Sequence, residues 1–229
     1  MRGFGKKKAV MAAEDDFELL GRWRAGDANA GNALVRRHFS RVYRFFRSKV
    51  DEGVDDLTQQ TFLAVVEGKD RIREGSSFKA YAFGVARRQL MMSLRRRYRG
   101  TQRLNWTEMS VSEVAEEGPA TPSQIVAQRY EQRLLLAALR QIPVDYQIAL
   151  ELHYWEDMSV REIASVVDAS AGTIKSRLSR GRTLLQRRID RLAGQRGLVR
   201  LAGGEVGDLV STLGLALEAP DPDSDPETF

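Results

Sequence analysis

Between Thr101 and Thr121 the helical periodicity that runs through most of this 229-residue chain stops. The stretch TEMSVSEVAEEGPATP, which fills most of that interval, is acidic and carries Pro119 and Pro122. It shows neither the three- and four-residue apolar spacing of a helix nor the alternation of a strand. A compact domain rarely holds a structureless loop of roughly 20 residues, so the break predicts a linker between two separate cores. With no strand signal on either side of it, the expected fold class is all-α: two small helical domains joined by a flexible linker. The boundaries that follow are a basic extension at 1–14, a first domain at 15–100, the linker at 101–121, a second domain at 122–193, and an extension at 194–229. The last of these carries a short apolar run, VGDLVSTLGLAL, before an acidic, proline-bearing end of disordered composition.

Capping and breaking residues divide each block into helices. Glu14 to Trp23 reads as a short helix, and Asp27 as the N-cap of a second, with Leu34, His38, Val42, Phe45 and Phe46 along its apolar face. Asp55 can cap a third helix, Asp56 to Glu67, which Gly68 ends; residues 68–77 read as a polar loop, and Ser77 can cap a long helix reaching Tyr98. In the second block, Thr121-Pro122-Ser123-Gln124 fits a helix start, with Thr as N-cap, and that helix runs to Gln141 before Pro143. Asp145 opens the next. Ser159 and Glu162 stand in capping-box spacing ahead of a helix that stops near Val167. Asp168-Ala169-Ser170 forms a turn, and a last helix runs from Ala171 to about Leu192.

Several kinds of chemistry are excluded or unsupported. There is no cysteine, hence no disulfide and no thiolate metal site. The two histidines, His38 and His153, lie in different blocks among apolar residues and read as core. Asp55 and Asp56 are adjacent on a helix, so they point about 100° apart and do not converge on a metal or a proton; they suit a helix start or a protein-docking face. No glycine-rich phosphate loop or nucleophile motif is present, so the chain is not expected to be an enzyme, and no metal or cofactor is implied. No window approaches the roughly 18 apolar residues of a membrane span, and the amino terminus is a poor secretory signal, so a cytoplasmic location without membrane association is expected.

Charge is segregated. The net charge is +5, but arginine is packed into 87–103 and 175–191, whereas acids gather at 51–56, 108–117 and the carboxyl end. Ser159 to Ile189, a short helix, a tight turn and a longer basic helix, follows helix-turn-helix grammar. On a helical wheel Ile174, Leu178, Leu185 and Ile189 share one face. Ser176, Arg180, Thr183 and Arg187 lie opposite, flanked by Lys175, Ser179 and Arg182. The apolar face suits Ile163, Val166 and Val167, and the basic face suits a major groove. Arg177 projects to the flank, where an intramolecular or phosphate role competes with base reading. The other cluster, Arg87, Arg88, Arg95, Arg96, Arg97, Arg99 and Arg103, is interleaved with Tyr81, Phe83 and Tyr98. Phe83 reads as core, and the arginine run as a contact for nucleic acid.

In order along the chain, VDDLTQQTFLAVVEG, SSFKAYAFGVARRQLMMSLRRRYR and MSVREIASVVDASAGTIKSRLSRGRTLLQRRI resemble the polymerase-docking helix, promoter-melting helix and helix-turn-helix of bacterial RNA polymerase sigma factors of the extracytoplasmic-function type, in the sigma-70 family. The resemblance implies an alternative sigma factor. Asp55, Asp56, Gln59, Gln60 and Phe62 would meet the polymerase clamp. Lys79, Tyr81, Arg87, Arg88, Arg95, Arg96 and Arg97 would engage and melt the −10 element. Thr173, Lys175, Ser176, Arg177, Ser179 and Arg180 would read the −35 element, with the polymerase flap as a further contact of the second domain. Promoter DNA, core polymerase and an anti-sigma factor are the implied partners. The chain departs from the family pattern at Gln60, where an acid is usual, at Tyr81, where tryptophan is common, and at Arg88, where asparagine is common. Alternatives from the residues themselves are a helix-turn-helix regulator that does not replace a polymerase subunit, and an interaction module for acidic partners. For the tail, charge and hydropathy predict that the apolar run docks on one domain while the acidic end shields a basic helix.

Overall fold

The computed structural model describes residues 15–72, 77–97 and 124–195, together with Gly207, Asp208, Val210, Ser211 and Leu213. Among the described residues there are helices and no strands. The first half contains α1 (Asp16–Arg24), α2 (Ala28–Arg47), α3 (Val54–Glu67) and α4 (Phe78–Arg97). The second contains α5 (Gln124–Arg140), α6 (Val144–Tyr154), α7 (Val160–Val167) and α8 (Ala171–Gln195). The expected extension 1–14, linker 101–121, N-cap Thr121, Tyr98, Arg99, Arg103 and acidic tail end lie outside the described residues.

Local chemistry sets most of the boundaries. The Asp15 carboxylate accepts from the Glu18 amide to start α1, and Asp27 accepts from Asn29 and Ala30 to start α2. Ser77 accepts from Ala80 at the head of α4. One start differs from expectation. Helix α3 begins at Val54, after Gly53 with φ +74°, and has no side-chain cap. The left-handed turn that glycine tolerates does the work assigned to Asp55, which instead sits with Asp56 in the first turn, where negative charge favours the helix dipole. The 68–77 loop is also less polar than expected. Lys69–Arg71 forms a 3-10 turn, Ile72 is buried, and Arg24 of α1 donates to the carbonyls of Lys69 and Ile72.

One core joins α1, α2, α3 and α4 through Leu19, Leu20, Trp23, Leu34, Val65, Phe78, Ala82 and Val85. Gly31 allows α1 to lie this close: a Cβ there would meet the Trp23 indole at 2.4 Å. The remaining faces of α2 and α4 close on a second, larger core that also contains α5, α6, α7 and α8. Helix α4 is therefore sandwiched, with Ala82 and Val85 in one core and Phe83, Ala86, Leu90 and Leu94 in the other. Helix α6 is enclosed further: every residue from Val144 to Leu152 is buried.

The two halves thus pack directly on one another. Arg140, the last residue of α5, donates to the Arg47 and Ser48 carbonyls at the end of α2 and pairs with Asp51. Such carbonyls have no partner within their own helix, so a guanidinium is a fitting cap. Deeper in the contact, the Lys49 ammonium pairs with Glu151 and also donates to the Phe45 carbonyl at 2.9 Å, while the Ser48 hydroxyl donates to Glu151 at 3.1 Å. Lys49 is 0% exposed and Glu151 1%. Burial lowers the Lys49 pKa and raises that of Glu151, and their mutual attraction, which favours the charged forms, opposes both shifts.

His38 is the buried histidine expected. Its Nε2 meets Asp16 Oδ2 at 2.6 Å, and Arg37 donates to the other Asp16 oxygen at 2.7 Å. Burial alone would raise the Asp16 pKa, but His38 and Arg37 outweigh it and hold it at about 2, against 3.8 ordinarily. A carboxyl held low stabilises the fold fully above its unfolded pKa and ceases to do so as pH falls through its folded one. Asp16→Asn is expected to cost about 1 kcal/mol at neutral pH, allowing for solvent screening. In urea titrations over a pH series, the gap between the two proteins should close as pH approaches about 2; a gap that is constant with pH would refute this assignment.

Candidate nucleic-acid interface

The α7–turn–α8 unit is built by local rules. Ser159 and Glu162 form a reciprocal capping box, with the Ser159 amide donating to Glu162 at 2.8 Å and the Glu162 amide to Ser159 Oγ at 3.3 Å. The Ser159 hydroxyl, which also donates to the Glu162 carboxylate at 2.7 Å, and the Ser159 amide hold the Glu162 pKa below its usual value. Asp168 ends α7 in the left-handed conformation, φ 54°, and Ser170 starts α8 by accepting from the Thr173 amide at 3.1 Å. Ile174, Leu178, Leu185 and Ile189 of α8 are buried together with Ile163, Val166 and Val167 of α7, as the helical wheel requires. Opposite them Thr173, Lys175, Ser179, Arg180, Thr183 and Arg187 are exposed, and Ser176 is half-buried.

Arg177 does not share that outward face. It donates to the Asp145 carboxylate at 2.7 Å, tying α8 to the first turn of α6. Of the roles open to it in the sequence, this contact is the intramolecular one. Thr173 is also engaged, its hydroxyl 2.9 Å from Ser170 Oγ.

The α4 candidates separate into two groups. Arg88, Arg95, Arg96 and Arg97 are exposed, and Arg97 donates to the Glu52 carbonyl at 2.9 Å. Lys79 instead donates to the Glu156 carbonyl in the second half. Arg87 is half-buried; burial lowers its pKa, and Asp145 and Asp168 offset part of that effect. Tyr81 donates to the Gly68 carbonyl at 3.2 Å and, with Arg87, Arg88 and Arg95, lines a cleft of about 820 Å³. The opposite wall of that cleft includes Asp145, Ser165 and Asp168 of the second half. Phe83, read as core, is 1% exposed.

On α3, Asp55, Asp56, Gln59 and Gln60 are exposed as a docking face requires. Phe62 is the exception. It is 6% exposed and stacks on Phe39 at 5.9 Å between ring centroids, so it anchors α3 rather than presenting itself to a partner. The apolar surface on this helix is supplied by two residues missed in the sequence, Leu63 and Val66, 57% and 45% exposed. They recur at three-residue spacing from Gln60, the signal in the sequence that could have found them. Among the described residues no group of histidines and carboxylates could hold a metal ion, and no helix is long and apolar enough to cross a membrane.

Comparisons with known proteins agree with this division of labour. Residues 34–100, spanning α3 and α4, match the Sigma-70 region 2 family, and residues 132–185, spanning the helix-turn-helix, match Sigma-70, region 4. The ECF RNA polymerase sigma factor SigE of Mycolicibacterium smegmatis is 32% identical over 183 residues, 78% of this chain; the match spans 65% of that relative's length. The ECF RNA polymerase sigma-E factor of Escherichia coli is 25% identical over 182 residues, 77% of this chain and 95% of the relative. Among solved structures, the sigma factor RpoE of Bartonella quintana, solved in complex with the anti-sigma factor NepR, superposes with a TM-score of 0.54 at 25% identity, over 72% of this chain and 97% of that one. CnrH, solved with the cytosolic domain of CnrY, shares the fold with a TM-score of 0.56 at 23% identity, over 78% and 99%.

Two neighbouring arginines on α8 should therefore separate cleanly. Arg177→Ala leaves the buried Asp145 carboxylate without its cation and should cost about 1–3 kcal/mol in thermal or urea unfolding. Arg180→Ala should leave stability within about 0.5 kcal/mol and reduce duplex affinity roughly tenfold by fluorescence anisotropy. Equal stability of the two variants would contradict the assignment of Arg177.

Proposed function

This chain belongs to the sigma-70 family as an alternative sigma factor of the extracytoplasmic-function type, and from that premise we propose that it docks on core RNA polymerase through α3, engages and melts the −10 element with α4, and reads the −35 element with α8. The observation that carries this reading is the outward face of α8. A capped helix and a left-handed turn fix a basic surface of groove-binding chemistry, with its apolar face committed to the core. The reading divides the chain into a docking and melting unit at 15–100 and an upstream-reading unit at 122–193, with 101–121 between them.

Within that scheme Lys175 and Arg180 suit base edges and phosphates near the start of α8, supported by Ser176 and Ser179, while Thr173 and Arg177 chiefly set the helix in place. Arg88, Arg95, Arg96 and Arg97 neutralise backbone along α4, with Lys79 and Arg87 joining them once freed from the second half. Unstacking costs a few kcal/mol per step, and Tyr81 offers an aromatic face worth about 1–3 kcal/mol per stacked base. Asp55, Asp56, Gln59 and Gln60 form the polar part of the polymerase-docking face, with Leu63 and Val66 as its apolar part. Two weak contacts on one chain raise overall affinity through effective concentration, so neither DNA-binding unit needs high affinity alone. In this role the chain is a non-catalytic subunit that acts in the cytoplasm. The Bartonella quintana relative was solved with an anti-sigma factor, and we infer a partner of that class here. A free-standing regulator is not favoured, because regions 2 and 4 both match.

Core polymerase supplemented with this chain should initiate at a distinct set of promoters in a genomic run-off assay, and initiation should fall steeply with salt. Asp56→Arg combined with Gln60→Arg should abolish that initiation by at least about tenfold while leaving duplex binding by the chain intact. Initiation that survives the double substitution would overturn α3 as the docking helix; supplemented polymerase that starts nowhere would overturn the function itself.

A further inference from the structure

We propose that the carboxy-terminal residues Gly207, Val210 and Leu213 form an intramolecular brace that holds the two halves closed and thereby masks Lys79 and Arg87, part of the basic surface of α4. It lies beyond both family matches, which end at 100 and 185. It is nevertheless seated in the core. Val210 and Leu213 are each 2% exposed and belong to the apolar cluster that spans both halves. The Trp155 indole N–H donates to the Val210 carbonyl at 2.5 Å, and Gly207 lies so close to Tyr154 that a Cβ would come within 2.8 Å of its ring. This bears out the expectation that the apolar run docks on a domain.

It lies against Tyr154 and Trp155, and Trp155 together with its neighbour Glu156 grips the first half. Tyr154 meets Gly207, and Trp155 holds Val210. The Trp155 ring also takes the Arg44 guanidinium of α2, 5.6 Å from its centroid. Arg44 donates to the Glu156 carboxylate at 2.7 Å, and the Glu156 carbonyl accepts from Lys79 of α4. The segment therefore stabilises the corner that pins both α2 and α4 to the second half.

The rest of the contact makes such a brace effective. Its central pair, Lys49–Glu151, is fully buried, and one Glu151 oxygen has no hydrogen-bond partner. A buried ion pair selects one arrangement strongly but contributes little net stability after desolvation, so closure rests on additional contacts. The masked groups are Lys79, bound to the Glu156 carbonyl, and Arg87, half-buried near Asp145 and Asp168. The α8 reading face remains exposed. Closure thus acts on two basic residues of α4 and spares the reading face of α8. The masking half of this inference rests on the role proposed for α4; the brace itself does not.

The chain has no cysteine, so Asn32→Cys with Asp190→Cys, both exposed positions, allows dye labelling for energy transfer between the halves. Deleting residues 196–229 from the labelled chain should lower transfer and raise affinity for a randomised single-stranded probe of roughly 12 nucleotides by about tenfold. Adding a synthetic peptide of residues 205–216 should restore both values, whereas the same peptide with Leu213→Asp should restore neither. Trp155→Phe in the full chain keeps an aromatic ring for Arg44, removes the N–H, and should give an intermediate shift in the same direction. Unchanged transfer after deletion, or equal rescue by both peptides, would overturn the brace. Lowered transfer with unchanged probe affinity would uphold the brace and instead count against the proposed role of α4.

Discussion

Helix α6 has water on no side over most of its length, and the carboxylate of Glu151 in its last turn is tolerable only because Lys49 and Ser48 reach it from the other half of the molecule. Removing one charge of such a pair leaves the other uncompensated in a low-dielectric interior, a penalty of about 3–5 kcal/mol, so α2 and α6 constrain each other. The surrounding contacts arrange themselves about that point. Arg140 caps the end of α2, Arg44 reaches the Glu156 carboxylate and Trp155, and the apolar residues of α4 fill the space beside them.

That packing gives the two basic helices different characters. Helix α8 is amphipathic in the ordinary sense, with one buried stripe and one solvated face, so its outward chemistry is available as it stands. Helix α4 carries apolar residues on two sides and is shared between two cores, and part of its basic chemistry faces the opposite half. Within the proposed function, reading of upstream DNA needs no rearrangement, whereas melting requires α4 to part from the second half.

What was legible in the sequence was what local physics determines. The Ser159–Glu162 capping box, the caps at Asp27 and Ser77, and the buried stripe of α8 are all consequences of spacing within about one or two turns. The misplacements have equally local causes. Gly53 supplied a backbone start that made a side-chain cap at Asp55 unnecessary, and Phe62 turned inward to Phe39 while Leu63 and Val66 took the surface. The direct contact between halves was not legible, because its partners lie far apart in sequence: Ser48 and Glu151 are 103 positions apart and Arg44 and Glu156 are 112. No periodicity reports a lysine whose counter-ion belongs to the other half. The ambiguity at Arg177 was visible, but only the position of Asp145 could resolve it.

Asp145 and Glu151 sit on the same short rod. Six residues of α-helix span about 9 Å, and at its two ends this rod grips Arg177 of α8 and Lys49 of the opposite half. Both grips are ionic, and both acids are buried, so neither tolerates much slack. A rigid strut with a charged clamp at each end transmits tilt rather than absorbing it. The orientation of α8, which the proposed function sets against DNA, and the seating of α2 against α6 are therefore mechanically linked settings of a single part.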